Sequence, residues 1–143
     1  MYIFDGAMGT MLQAAGLEEG YCPELFNIER PEVVKDIHAQ YLQHGSDVIT
    51  TNTFGACGLK LEDYDLQDRV REINIAAVKV AKEAIAENKP TARVAGSMGP
   101  TGRFLQPLGN MSFDSIYDTY LEQAKALIEG GVDFIIIETI IDV

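Results

Sequence analysis

The stretch GGVDFIIIET, residues 130–139, carries the reading of the fold. Two glycines and an acid lead into four successive apolar residues, Phe134 to Ile137, and a second acid, Glu138, closes the run. A strand with one wet face alternates apolar and polar residues. An unbroken apolar run belongs to a strand covered on both faces, as in parallel sheets. The same frame stands earlier in the chain as HGSDVITTNT, residues 44–53: Gly45 matches Gly131, Asp47 matches Asp133, Ile49 matches Ile135 and Thr53 matches Thr139. The copies lie 86 residues apart (131 − 45), which is two strand–helix units. In this frame Asn52 stands opposite Glu138.

The elements between and before the copies follow the same alternation. Residues 2–5 (YIFD) read as a short buried strand, and the glycines and prolines of residues 16–30 (GLEEGYCPELFNIER) predict a loop. Pro31 suits a first helical position, Val33, Val34, Ile37, Tyr41 and Leu42 recur at helical spacing, and Gly45 ends the helix. Residues 47–54 (DVITTNTF) predict a strand. Residues 66–87 predict a second amphipathic helix, and 92–97 (ARVAGS) a third strand, followed by a long loop over 99–110 (GPTGRFLQPLGN). Ser112 or Asp114 caps a third helix with Ile116, Tyr120, Leu121, Ala124, Leu127 and Ile128 inward; residues 133–139 are the fourth strand. The order β-α-β-α-β-α-β predicts an α/β fold with a parallel sheet and right-handed crossovers, in one unit over residues 1–143. In a TIM (β/α)8 barrel alternate strands share a layer, so the repeat predicts Asn52 and Glu138 at one level. Such barrels take ~250 residues; the expectation here is the first four strands, a half barrel.

Composition narrows the function. A net charge of -11 leaves no basic surface for nucleic acid or an anionic membrane. The longest apolar run is too short to cross a bilayer, and Asp5 interrupts any leader-like segment. Two cysteines, Cys22 and Cys57, without metal-type spacing suit reduced thiols in a cytoplasmic protein.

All four strands finish on a polar or glycine position: Asp5, Asn52, Gly96–Ser97 and Glu138. A turn explains any one of these. Four together point to a ligand site, because ligands bind beyond the carboxyl ends of parallel strands. Glu138 directly after Phe-Ile-Ile-Ile is costly unless partnered. His38 and His44, on or at the end of the first helix, read as surface or helix-terminal residues; Cys57 and Cys22 do not read as metal ligands. GAMGT lacks the dinucleotide pattern, and GPTG reads equally as an anion-binding turn or a tight structural loop.

These strand ends also carry a resemblance. DGAMGTML, GSDVITTNTFGA, GSMGPTGRFLQPLG and IIIETIIDV, in this order, resemble the first half of the homocysteine S-methyltransferase domain, in the branch of that family whose methyl donor is methylcobalamin. The resemblance implies a (β/α)8 barrel that holds homocysteine at its mouth, with the sulfur on zinc. A metal-bound thiol is deprotonated, and the thiolate is the nucleophile that takes the methyl group. The donor it implies is methylcobalamin or 5-methyltetrahydrofolate, with betaine or S-methylmethionine, as in a cobalamin-independent relative, as the alternative. Three cysteines from the second half of the domain hold the zinc. By the same resemblance Asp5 with the backbone of Gly6 and Ala7, Asn52, Ser97 and Glu138 contribute to the homocysteine pocket, and Glu138 receives the substrate's amino group.

This 143-residue chain is therefore expected neither to bind zinc in the family manner nor to transfer a methyl group. Its expected partners are homocysteine and either the remainder of the barrel or a second copy of the chain. One alternative is a half barrel that binds a small amino acid or an anion without catalysis. Another is a flavodoxin-like domain with a phosphate site at GPTG.

Overall fold

The computed structural model describes residues 1–140, so the last three residues of the fourth motif lie outside the described residues. In chain order come α1 (Met8–Ala14), α2 (Phe26–Glu29), α3 (Pro31–Gln43), β1 (Val48–Thr50), α4 (Gly58–Leu61), α5 (Val70–Asn88), β2 (Arg93–Met98), α6 (Phe113–Gly130) and β3 (Phe134–Ile137). The strands form one parallel sheet in the order β1-β2-β3, with Thr50, Ala95 and Phe134 side by side.

The repeated frame has a structural purpose at each of its first positions. Gly45 (φ 109°) and Gly131 (φ 88°) both take the left-handed conformation that turns a helix into the following strand. Asp47 then accepts from the Ile3 amide (3.1 Å) and Asp133 from the Val94 amide (2.7 Å). Each acid thus ties the start of its strand to the start of the preceding one.

The first segment is reduced relative to the expected strand over residues 2–5. Phe4 forms a single parallel bridge with Val48: the Val48 amide donates to the Ile3 carbonyl (3.1 Å) and the Asp5 amide to the Val48 carbonyl (3.0 Å). Tyr2, Ile3 and Phe4 are exposed edge residues with a neighbour on one side, and the chain turns away at Gly6.

One face of the sheet is covered by helices. Ile49 and Val94 pack with Leu42 of α3 and Ala81, Ala84 and Ile85 of α5; Met98 and Ile135 pack with Val78 of α5 and Leu127 of α6. On the other face the Phe4 and Phe134 rings meet edge to face, 6.1 Å apart. Three strand spacings in a flat sheet would hold them about 14 Å apart, so the sheet curves strongly with this face concave. A doubly wound sheet carries helices on both faces; the flavodoxin-like alternative does not fit this curvature or this helix layer.

Several local expectations change. Residues 23–29, read as part of a loop, wind into one 3-10 turn (Pro23–Leu25) and α2, and residues 8–14, given no element in the sequence, form α1. The strand expected over 47–54 is hydrogen-bonded as strand only over Val48–Thr50, because Asn52 and the residues after it bond to the loop before α3 instead. Ser112, not Asp114, caps α6, accepting from the Ser115 amide at 3.1 Å. On α6 Ile128 is exposed, while Gln123 and Ala126 join Leu127 inside. His38 is the clearest correction. Far from the surface, it is fully buried, because position 38 continues the Val34–Ile37–Leu42 stripe of α3. Neither of its ring nitrogens has a partner among the described residues.

Candidate functional site

The concave end of the sheet, at the carboxyl ends of its strands, gathers two acids. Asp5 sits where the first segment leaves β1. Its Oδ2 accepts from the Thr50 amide at 2.8 Å, and its Oδ1 accepts from Thr50 Oγ1 at 3.0 Å. Burial pushes this carboxyl up to about 6; the Thr50 hydrogen bonds oppose the rise and the negative charge of Glu138 adds to it. The two acids therefore share one electrostatic neighbourhood.

Glu138 follows β3 on the face of Phe134 and Ile136, opposite Ile137, which lies on the helix side. Its Oε1 accepts from Ser97 Oγ at 2.5 Å. Ser97 is itself held rigidly. Its amide donates to Thr51 Oγ1 (3.0 Å), its carbonyl accepts from Thr53 Oγ1 (2.7 Å), and the two threonine hydroxyls are joined at 2.6 Å. Gln123 of α6 donates to the Thr53 carbonyl at 2.8 Å. Thr51, Thr53, Ser97 and Gln123 are all buried, so this lattice fixes the rim before any ligand arrives.

Asn52 is placed differently. Its Nδ2 donates to the Pro23 carbonyl (2.8 Å), and its own carbonyl accepts from Asn27 Nδ2 (2.7 Å). Together with Glu24, whose Oε1 accepts from the Gly55 amide at 2.7 Å, it staples the loop before α3 to the end of β1. The repeat still has its geometric meaning. Register pairs Thr50 with Phe134, 84 residues on (134 − 50), whereas the repeat spans 86. The difference of two residues over two strand pairs matches the stagger of a barrel with shear 8. The Asn52 backbone thus stands level with Glu138 while its side chain turns aside.

Gly6 and Ala7 are exposed at the same end. The Tyr41 ring lies against Gly6, where a Cβ would fall 2.9 Å from Tyr41 Oη, and that hydroxyl donates to the Ala7 carbonyl at 2.9 Å. The structure thus brings together Asp5, Ser97 and Glu138, with Gly6 and Ala7 beside Asp5. Thr50 was missed in the sequence: as the first threonine of TTNT it looked like any β-branched strand residue.

Other candidates resolve as structure. His44 Nδ1 meets the Gln40 carbonyl at the end of α3 (2.7 Å). In the GPTG loop Thr101 Oγ1 accepts from the Arg103 amide at 3.1 Å, and the Arg103 guanidinium pairs with Asp63 at 2.8 Å, so its charge is already matched. An apolar cavity of about 330 Å³ beside this loop, between Phe104, Phe113 and Tyr120, carries no acid among the described residues.

The chemistry of the two carboxylates is that of a cation site. An ammonium has three N–H donors and no acceptor, and charge-assisted bonds to carboxylates are the strong ones. Zinc does not fit the donors at hand. Cys22 and Cys57 are both buried; Cys22 donates to Glu24 Oε2 (3.3 Å) and burial pushes its thiol up to about 12, while burial also raises Cys57. Among the described residues no three of His, Cys, Asp and Glu cluster as ligands. Nor is any described helix long and apolar enough to cross a membrane.

Comparison with known proteins bears on the fold and the family. The family described as homocysteine S-methyltransferase matches residues 2–143. Methionine synthase of Mycobacterium tuberculosis is 41% identical over 145 residues, covering 94% of this chain and 12% of that protein; methionine synthase of Mycobacterium leprae is 39% identical over the same shares. The metallated form of the Escherichia coli homocysteine methyltransferase MmuM superposes with a TM-score of 0.80 at 25% identity, covering 97% of this chain and 54% of that one. Its oxidized form gives 0.77 at 24% identity, covering 94% and 51%. This chain thus spans about half the MmuM chain and a small part of the curated methionine synthases. It belongs to the homocysteine S-methyltransferase family.

Proposed function

We propose that this chain forms the first four strands of a homocysteine S-methyltransferase (β/α)8 barrel and supplies the part of the pocket that holds the amino-acid end of homocysteine. The carrying observation is that Asp5, pinned by Thr50, and Glu138, pinned by Ser97, each stand at the carboxyl end of the sheet, near enough for the charge of Glu138 to act on Asp5. Asp5 and Glu138 take the substrate ammonium, Ser97 orients Glu138, and the exposed backbone of Gly6 and Ala7 lines the pocket beside them. Asn52 contributes by holding the neighbouring loop. In the intact enzyme the methyl group goes to the homocysteine sulfur to give methionine, with methylcobalamin, charged from 5-methyltetrahydrofolate, as donor. Zinc, when bound in the complete domain, supplies the charge that keeps the sulfur a thiolate; no step of it is assigned to the residues described here.

The test is homocysteine titration into the purified chain, with Glu138→Gln and with N-acetylhomocysteine, which lacks the ammonium. Wild type takes homocysteine, while the Gln variant and the acetylated ligand bind at least roughly tenfold more weakly, as expected for a lost charge-assisted bond. Equal binding of homocysteine and its N-acetyl form removes the ammonium assignment.

A second reading, amino-acid binding without catalysis by this chain alone, is favoured by the donor set. Both thiols are buried and held protonated. Methionine formation by the purified chain, or stoichiometric zinc lost on Cys22→Ser or Cys57→Ser, overturns it.

A further inference from the structure

The Thr50 contacts at Asp5 go beyond the end of a ladder. In the parallel pairing of the first segment with β1, the Val48 amide meets the Ile3 carbonyl and the Asp5 amide meets the Val48 carbonyl. The next rung would carry the Thr50 amide to the Asp5 carbonyl. Instead it goes to the Asp5 side chain, 2.8 Å from Oδ2, just as the chain departs into Gly6. An end cap needs no more than that one bond. The Thr50 hydroxyl adds a second hold, 3.0 Å from Oδ1 and 3.2 Å from Oδ2, so both carboxylate oxygens are engaged by one residue. Thr50 is β-branched, which restricts its χ1 and with it the direction of the hydroxyl. It stands in the same row as Ala95 and Phe134.

We infer that Thr50 is a positioning residue for Asp5: its amide and hydroxyl protons fix the rotamer of the carboxylate at the pocket end shared with Glu138 and keep it charged. This rests on the reading of Asp5 as a substrate contact. Glu138 is the titratable group that acts on Asp5 from the end of β3, across the concave face, and it opposes the charge; Tyr41, packed on Gly6, spends its hydroxyl on the Ala7 carbonyl. A carboxylate in that setting needs donors to remain ionised at neutral pH. The hydroxyl is the one donor that substitution can remove while the amide stays.

The experiment uses the full chain with Thr50→Val, which keeps shape and amide, and Thr50→Ser, which keeps the hydroxyl. Two readouts are taken: the Asp5 titration midpoint by carboxyl-carbon NMR, and homocysteine affinity at pH 7.5 by calorimetry. The Val variant is expected to move the midpoint above its wild-type position and to weaken homocysteine roughly tenfold, the weight of a hydrogen bond to a charged group. The Ser variant restores both. Thr50→Ala carries the same expectation if the Val chain does not fold. A Val or Ala chain that loses stability while Asp5 titrates and binds as in wild type overturns the inference, since Thr50 is then only an end cap. So does a Ser chain that behaves like Val. A wild-type chain that takes no homocysteine, while Val still moves the Asp5 midpoint, overturns the substrate reading and upholds the hold on Asp5.

Discussion

Replacing Asp5 by Asn should make the fold more stable at neutral pH while removing a substrate contact. The folded chain keeps the Asp5 proton up to about pH 6, whereas the ordinary carboxyl loses it near 3.8. Between those values the folded state holds more protons than the unfolded one, so stability falls as pH rises, and above about 6 the loss is complete. That interval, at about 1.36 kcal/mol per pH unit, sets a ceiling of about 3 kcal/mol. Two effects lower it. Asp5 is only part-buried, and Asn replaces charge-assisted bonds to Thr50 by neutral ones. The expected gain for Asp5→Asn is about 1–2 kcal/mol at pH 8, shrinking through pH 6 and close to zero by pH 3.5, where Asp5 is itself uncharged. Urea unfolding followed by circular dichroism at pH 8, 6 and 3.5 measures this. An Asn variant no more stable than wild type at pH 8, or one offset equally at all three pH values, would refute the reasoning. Homocysteine affinity should fall in the same variant, the familiar exchange of stability for function at a binding site.

His38 acts in the opposite sense. Burial lowers it from 6.5 to about 4, so the unfolded chain takes up the proton first and stability falls as pH drops from about 6.5 to 4. The ceiling is about 3 kcal/mol, and His38→Leu should remove this acid-dependent part; parallel urea curves for the two chains across that range would show the imidazole is not buried neutral. The thiols of Cys22 and Cys57, both raised by burial, should react slowly with an aromatic disulfide reagent at pH 8 in the native chain and quickly in urea. Rapid labelling without denaturant would contradict their burial.

The alternation of strands with the three long helices and the parallel sheet were legible in the chain, because they rest on local patterns; the lengths of the strands were not. The apolar run at Phe134–Ile137, the helix-ending Gly45 and Gly131 and the Pro31 start all act within a few residues of themselves. The repeat also marked where two strands begin, since Gly–x–Asp at each copy is a local device for starting a strand beside its predecessor. That Asp5 and Glu138 each close an apolar run was also readable.

What the side chains do once there was decided by the tertiary structure. Asn52 and Glu138 occupy equivalent places, yet Asn52 finds the Pro23 carbonyl within reach and turns away from the pocket, a partner 29 residues distant in sequence. His38 and Ile128 exchanged their expected places because helix burial depends on which neighbours α3 and α6 lean against, not on hydropathy alone. Thr50 looked like an ordinary strand residue until the first segment ended one rung early and left its amide and hydroxyl facing Asp5. Local periodicity and strand endings belong to the sequence itself; the direction of a polar side chain depends on the nearest unmatched donor or acceptor, and only the folded chain brings that group into place.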